Sequence, residues 1–167
     1  MALNIKYYNP ANVLTGGAID TGSLLGSVVE TSEQSVNAVD FCSVTSEQGT
    51  DQINFYFRKF FIKNEDVDDI VEPHIYLDNL EYPEQLALAR GGASDTTTQP
   101  YVMPSGYESS DFIECNSYED RIPVYEDTSD LAVNASVGFW MRIRAYPDLP
   151  YDASAVGTVK IRGYRSA

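Results

Sequence analysis

The sequence predicts an all-β chain: an antiparallel β-sandwich of jelly-roll or immunoglobulin-like type, preceded by an extended N-terminal arm. Three observations lead there. From Ser35 onward short apolar runs recur between turn-like clusters, and no segment sustains apolar residues at the i, i+3, i+4, i+7 spacing of a long helix. The composition adds 12 Tyr, 7 Phe and one Trp, residue types that favour strands. The 137–146 segment alternates, with Val137, Phe139, Met141, Ile143 and Ala145 on one face and Gly138, Trp140, Arg142 and Arg144 on the other.

Residues 1–35 place apolar pairs between glycines, as in Leu14-Thr15-Gly16-Gly17-Ala18-Ile19 and Thr21-Gly22-Ser23-Leu24-Leu25-Gly26. Such a segment makes no core of its own. It reads as an arm that orders by burying Leu14, Ile19, Leu24 and Leu25 on a surface, or as two edge strands of the domain that follows. Residues 36–167 form that domain, long enough to bury a core without staples.

Its candidate strands are 37–45, 53–63, 71–78, 84–89, 111–115, 137–146 and 155–162. Within 53–63 the apolar phase changes, since Ile53, Phe55 and Phe57 are odd whereas Phe60 and Ile62 are even. A bulge at Arg58-Lys59 would reconcile the phases, and burial of both faces is the alternative. The stretch 91–100 holds only small and polar residues besides its proline and reads as an exposed loop, opening a long acidic region over about 91–130.

The formal net charge of −14 would repel a phosphate backbone, which excludes nucleic acid as a direct ligand. Residues 64–130 hold 17 Asp and Glu against Arg90 and Arg121, whereas in 131–167 five cations face only Asp148 and Asp152. If 137–146 and 155–162 pair, Arg142, Arg144, Lys160 and Arg162 form one basic stripe. Such a stripe requires carboxylates, either from the acidic middle of the same chain or from a partner.

Cys42 and Cys115, the only cysteines, fit neither a CxxC motif nor a disulfide-rich scaffold, and two buried thiols are expected. The N-terminus lacks the apolar run of a signal peptide, and no stretch approaches the roughly 20 apolar residues of a spanning helix. A soluble chain with no membrane role is expected.

Catalytic signals are sparse. His74 is the only histidine, follows Pro73 in a strand-like run and reads as structural, with no GxSxG context to suggest a nucleophile. Carboxylates abound, as in Glu65-Asp66-Val67-Asp68-Asp69, but that run lacks EF-hand spacing and reads as a solvated acidic turn. No GxxxxGK[ST] loop occurs. No enzyme, cofactor or metal is expected. Tyr7, Tyr8, Tyr101, Tyr107, Tyr118 and Tyr125 lie in loop-like settings where rings could anchor an interface or stack on sugars.

Three pieces of the chain resemble, in order, a group of tailed-bacteriophage virion structural proteins. These are Leu14-Thr15-Gly16-Gly17-Ala18-Ile19; Tyr56-Phe57-Arg58-Lys59-Phe60-Phe61-Ile62-Lys63-Asn64 followed by Pro73-His74-Ile75-Tyr76-Leu77; and Val137-Gly138-Phe139-Trp140-Met141-Arg142-Ile143-Arg144 with a closing Val159-Lys160-Ile161-Arg162-Gly163. The resemblance spans most of 14–163, and the acidic region around 91–130 departs from it. It implies a β-sandwich on the capsid surface of the virion, assembled in the host cytoplasm, acting as a decoration or cement protein. The partners it implies are the major capsid protein or other virion proteins, and further copies of the chain in a dimer or trimer. The alternative is a neck, tail or carbohydrate-binding receptor component. Leu14, Ile19, Leu24, Leu25, Arg142, Arg144, Lys160 and Arg162 are the expected partner-binding residues.

Overall fold

The computed structural model describes residues 5–8, 25–26, 54–80, 86–92, 95–97, 102–145 and 158–166. Among them are nine strands: β1 (Ile5–Tyr8), β2 (Leu25–Gly26), β3 (Asn54–Asn64), β4 (Ile70–Asp78), β5 (Leu86–Gly91), β6 (Thr96–Thr97), β7 (Ile122–Pro123), β8 (Ser136–Ala145) and β9 (Thr158–Arg165). One 3-10 turn, Ser109–Asp111, is the sole helical element described. The described residues are mostly β-strand with almost no helix, and every pairing among them is antiparallel. The strands form a four-stranded sheet ordered β1-β3-β8-β5, a three-stranded sheet ordered β7-β4-β9 and the small pair β2-β6.

The two larger sheets share one core. Phe60 and Ile62 of β3, Leu86 and Leu88 of β5, and Phe139, Met141 and Ile143 of β8 meet Ile70, Ile75 and Leu77 of β4 and Ile122 of β7, with Val124 and Leu131 filling in from the connections. Phe60 and Phe139, register partners, stack with centroids 5.8 Å apart. Each such side chain contributes about 1.5–3 kcal/mol by leaving water, so this cluster is the main source of stability.

The strand β3 corrects the expected bulge. Its register against β8 runs unbroken from Asn54↔Ala145 to Lys63↔Ser136, and every residue from Phe57 to Ile62 is buried. The phase change in the sequence records burial of both faces. Even positions enter the shared core, while Phe55 and Phe57 join Ala87, Ala89, Phe112 and Trp140 in a second cluster on the far face. Met103, Tyr107 and Phe112 cover that face, and the described residues within 91–100 are not simply an exposed loop: Thr96–Thr97 is strand and Thr97 is 4% exposed.

The bulge lies in β4 instead, where the register against β9 shifts between Val71 and His74. Glu72 has φ +48° there, and Pro73 follows with no N–H to leave unpaired. Residue 163 packs against this irregularity. A Cβ at Gly163 would lie 2.5 Å from Ile70 Cγ2 and 2.9 Å from the Val71 carbonyl oxygen, so the close approach of β9 requires glycine.

The β8–β9 pairing on which the basic stripe depended does not form. β8 is a central strand flanked by β3 and β5 and has no open edge, so β9 pairs with β4 in the other sheet. Of the predicted arm, Ile5–Tyr8 pairs with β3 and Leu25–Gly26 with β6, both as edge strands of the domain. Leu14, Ile19, Leu24, the candidate strand 37–45 and Cys42 lie outside the described residues. Candidate strand 111–115 reduces to a single bridge, Leu88↔Ile113.

Candidate functional site

Ile75 and Leu77 of β4 and Ile161 of β9 turn into the core, which leaves Tyr76 and Arg162 on the opposite, outer face of the three-stranded sheet. The segment leading into β7 lies across them. Ser117 Oγ donates to Asp120 Oδ2 at 2.7 Å, and the Arg121 N–H reaches back to the Tyr118 carbonyl, forming a compact turn. That turn sets the Tyr118 ring edge-on to Tyr76, with centroids 5.7 Å apart and planes at 76°. Tyr76 is 3% exposed and Tyr118 38%, so one ring is the floor and the other the exposed platform.

Two guanidiniums share that platform. The Arg121 guanidinium carbon lies 4.1 Å from the Tyr118 centroid and that of Arg162 4.8 Å, with Arg162 also 5.9 Å from Tyr76. Arg121 Nη1 donates to the Tyr118 carbonyl at 2.9 Å. Asp120, its sequence neighbour, accepts from Ser117 instead. Among the described residues neither Arg121 nor Arg162 has a carboxylate within ion-pair distance.

Five other basic residues contrast with these two. Lys63 meets Glu65 at 3.4 Å, Arg90 meets Glu126 at 3.5 Å, Arg142 meets Glu114 at 3.9 Å, and Arg165 meets Asp66 at 2.7 Å. Lys160 pairs with Asp78; the hydrogen bond between them lowers the Asp78 carboxyl and raises the Lys160 ammonium relative to their ordinary pKa values.

The expected stripe of Arg142, Arg144, Lys160 and Arg162 is therefore divided. Arg142 and Arg144 belong to the four-stranded sheet, Lys160 and Arg162 to the three-stranded one. Arg142 is 8% exposed beneath the covering segment, donates to the Ser109 carbonyl at 3.2 Å and packs on Phe55 and Phe112. Burial, then the neighbouring Arg144, lowers its pKa against the pull of Glu114. Arg144 lies over Phe55 at 5.5 Å. Intramolecular pairing with the acidic middle is what Lys160 and Arg142 display. Leu25 lies in β2, opposite Thr97.

Lys59 is the most deeply placed cation, 1% exposed. Its ammonium donates to the Asp95 carbonyl at 3.0 Å and lies 5.0 Å from the Phe61 ring and 5.8 Å from Trp140. Burial lowers its pKa to about 8, with the Asp95 carboxylate opposing. Gly138 makes the room, since a Cβ there would meet Phe61 Cε1 at 3.1 Å and Lys59 Cε at 3.2 Å. Tyr107 closes the cover, its one hydroxyl proton shared between the Arg90 carbonyl at 2.9 Å and the Asp95 carboxylate, and burial raises its pKa.

His74 Nδ1 lies 2.8 Å from the Glu72 carbonyl oxygen, across the β4 bulge. In the acidic run 65–69, Asn64 Nδ2 donates to the carbonyls of Asp68 and Leu131, the Asp66 N–H donates to Asn64 Oδ1, and Asp69 Oδ1 accepts from Val133 N–H. The run is a hydrogen-bonded corner with Asp66 buried, not a fully solvated turn. No group of three or more metal-ligating side chains occurs among the described residues. Cys115 is a free, buried thiol whose pKa burial pushes up to about 11.

Sequence reasoning singled out Tyr118 and Arg162 separately and missed Arg121, which stood only as one of two cations in an acidic region. The signal available was the spacing: Tyr118 and Arg121 are three apart, just before an apolar Ile122-Pro123-Val124 run. No family model, curated protein or solved structure matches the chain.

Proposed function

We propose that the chain is a structural protein of a tailed-bacteriophage virion: a β-sandwich of jelly-roll or immunoglobulin-like type that decorates the capsid surface and stabilises it by binding the major capsid protein. The family part of this reading rests on the ordered sequence resemblance over 14–163. The structural part rests on one observation: buried and half-buried cations fasten this chain's own segments together. Lys59 holds Asp95, Arg142 holds Ser109 and Arg165 holds Asp66. Cross-fastening of this kind suits a module that bears load as a rigid body and is repeated on a lattice, where small contacts add up.

The test uses the full chain and phage heads stripped of their surface proteins. Saturable binding by cosedimentation, with heads that withstand higher temperature when loaded, supports the reading. Binding to tails with none to heads overturns it in favour of a neck or tail component.

A further inference from the structure

We infer that the Arg121–Tyr118–Arg162 platform is a docking site for a short acidic segment of a partner protein. Three observations carry this. First, the site holds two arginines with no carboxylate within ion-pair distance among the described residues, Arg162 acting on Asp78 only at longer range, in a chain with 25 acidic and 11 basic residues. In such a chain a cation finds an anion unless its position prevents it, and Lys63, Arg90, Arg142, Lys160 and Arg165 have each found one.

Second, both guanidiniums are set against one aromatic ring. A stacked guanidinium still presents N–H groups to a carboxylate, even with Arg121 Nη1 engaged by the Tyr118 carbonyl, and its side chain loses less freedom on binding because the ring already holds it. Tyr118 is fixed in turn by Tyr76 and by the Ser117–Asp120 turn, so the pair of cations is preorganised. Third, Arg162 is exposed while Tyr76 beneath it is buried, which makes the platform a raised, solvent-facing feature.

The net charge decides the class of ligand. A nucleic acid is repelled along its whole length by a chain of −14, and a second copy would bring another −14 against it. A partner of neutral or basic character that carries one local acidic segment avoids both penalties and gains two charge-assisted contacts. That the partner is a virion protein rests on the function proposed above; the acidic-segment specificity does not. The peptide experiment below tests the surface alone and the capsid experiment tests the role, so the two failures are distinguishable.

The probe is an acetylated, amidated hexaglutamate peptide titrated into the full chain at low salt, followed by amide and side-chain NMR shifts. Expected are saturable shifts around Tyr118, Arg121 and Arg162, weakened at least 10-fold at 0.5 M salt and by the R121Q/R162Q double variant. Lys63→Gln, at the end of β3, leaves binding unchanged, and Tyr118→Phe retains it where Tyr118→Ala does not. Equal binding by the double variant overturns the inference. So does tighter binding of a single-stranded oligonucleotide than of the peptide, or concentration-dependent self-association that the double variant abolishes while the peptide fails to bind. Unchanged thermal unfolding of the double variant shows that its loss of binding is not loss of fold.

Discussion

Arg165 and Asp66, 99 positions apart, are joined at two points: Nε and Nη2 of the arginine donate to the same carboxylate oxygen, at 3.0 and 2.7 Å. The Asp66 side chain is 4% exposed and that of Arg165 29%, so the pair straddles the boundary between core and solvent. Removing the arginine leaves a buried carboxylate without its counter-charge. Allowing for the partial exposure, Arg165→Ala is expected to cost about 2 kcal/mol, and Asp66→Asn less because the amide still accepts a hydrogen bond. Urea midpoints of both single variants and the double variant give the coupling, and additivity would mean that the pair contributes nothing.

Gly163 gives a second prediction. The backbone oxygen of Val71, 2.9 Å from a would-be Cβ, cannot swing aside as a side chain could. Gly163→Ala is therefore expected to destabilise by about 1–3 kcal/mol through strain between β9 and the β4 bulge, and Gly163→Val by more. Gly106 serves as the contrast. A Cβ there meets nothing within 4 Å, though its φ of +88° still penalises alanine modestly. Thermal unfolding of the two alanine variants should rank Gly163→Ala well below Gly106→Ala.

How much of this was legible depends on which residues are asked. The alternation of β8 was plain because Phe139, Met141 and Ile143 enter one core and its other face carries Arg142 and Arg144. β3 was ambiguous because Phe60 and Ile62 fill one cluster while Phe55 and Phe57 fill another, and a strand apolar on both faces has no period to read. The basic stripe was conditional on pairing of β8 with β9, neighbours in sequence, but a strand already paired on both sides has no edge to offer. The platform was half-visible. Tyr118 and Arg162 stood out by type, yet only the β4–β9 register and the β7 crossing bring Arg121 to them, and contacts between residues that distant leave no local pattern.

Tyr107 should act as the catch of the covering segment. Its hydroxyl joins the Arg90 carbonyl of β5 to the Asp95 carboxylate, and its ring leans on Phe112 with centroids 6.1 Å apart. Tyr107→Phe keeps the ring and deletes only the hydroxyl. A loss of about 1–2 kcal/mol is expected, since two acceptors lose their donor in a half-buried place. Hydrogen exchange should quicken at residues 102–112 and at Gly92, with little change at Ile75 or Leu77. Uniform quickening across both sheets would show that the cover does not open on its own.

The buried ammonium of Lys59 predicts an unusual dependence of stability on pH. Its pKa falls from the ordinary 10.5 to about 8, so between those values the unfolded chain binds more protons than the folded one. Stability then rises with pH, by on the order of 1 kcal/mol from pH 8 to 9. Cys115 acts in the opposite sense. Its thiol is raised from 9.0 to about 11, so the unfolded chain ionises first and stability falls from pH 9 upward, joined above pH 10 by Tyr107. Urea midpoints are expected to climb to about pH 9 and then flatten. Cys115→Ala should extend the climb, and Lys59→Met should remove it, because it deletes the titrating buried charge at nearly constant volume.

Trp140 reports the same titration without unfolding the protein. It is the only tryptophan, fully buried, and its ring lies 5.8 Å from the Lys59 ammonium. Loss of the proton removes a cation from beside the indole and alters the field at the ring. Native-state emission should therefore change intensity with a midpoint near pH 8, well below the range where tyrosines ionise. The Lys59→Met variant should show no such step, and Arg142→Met should keep it, since that cation packs on Phe55 and Phe112 rather than on Trp140. A flat profile in the unsubstituted chain between pH 7 and 9 would refute the lowered Lys59 pKa, and with it the expected rise in stability.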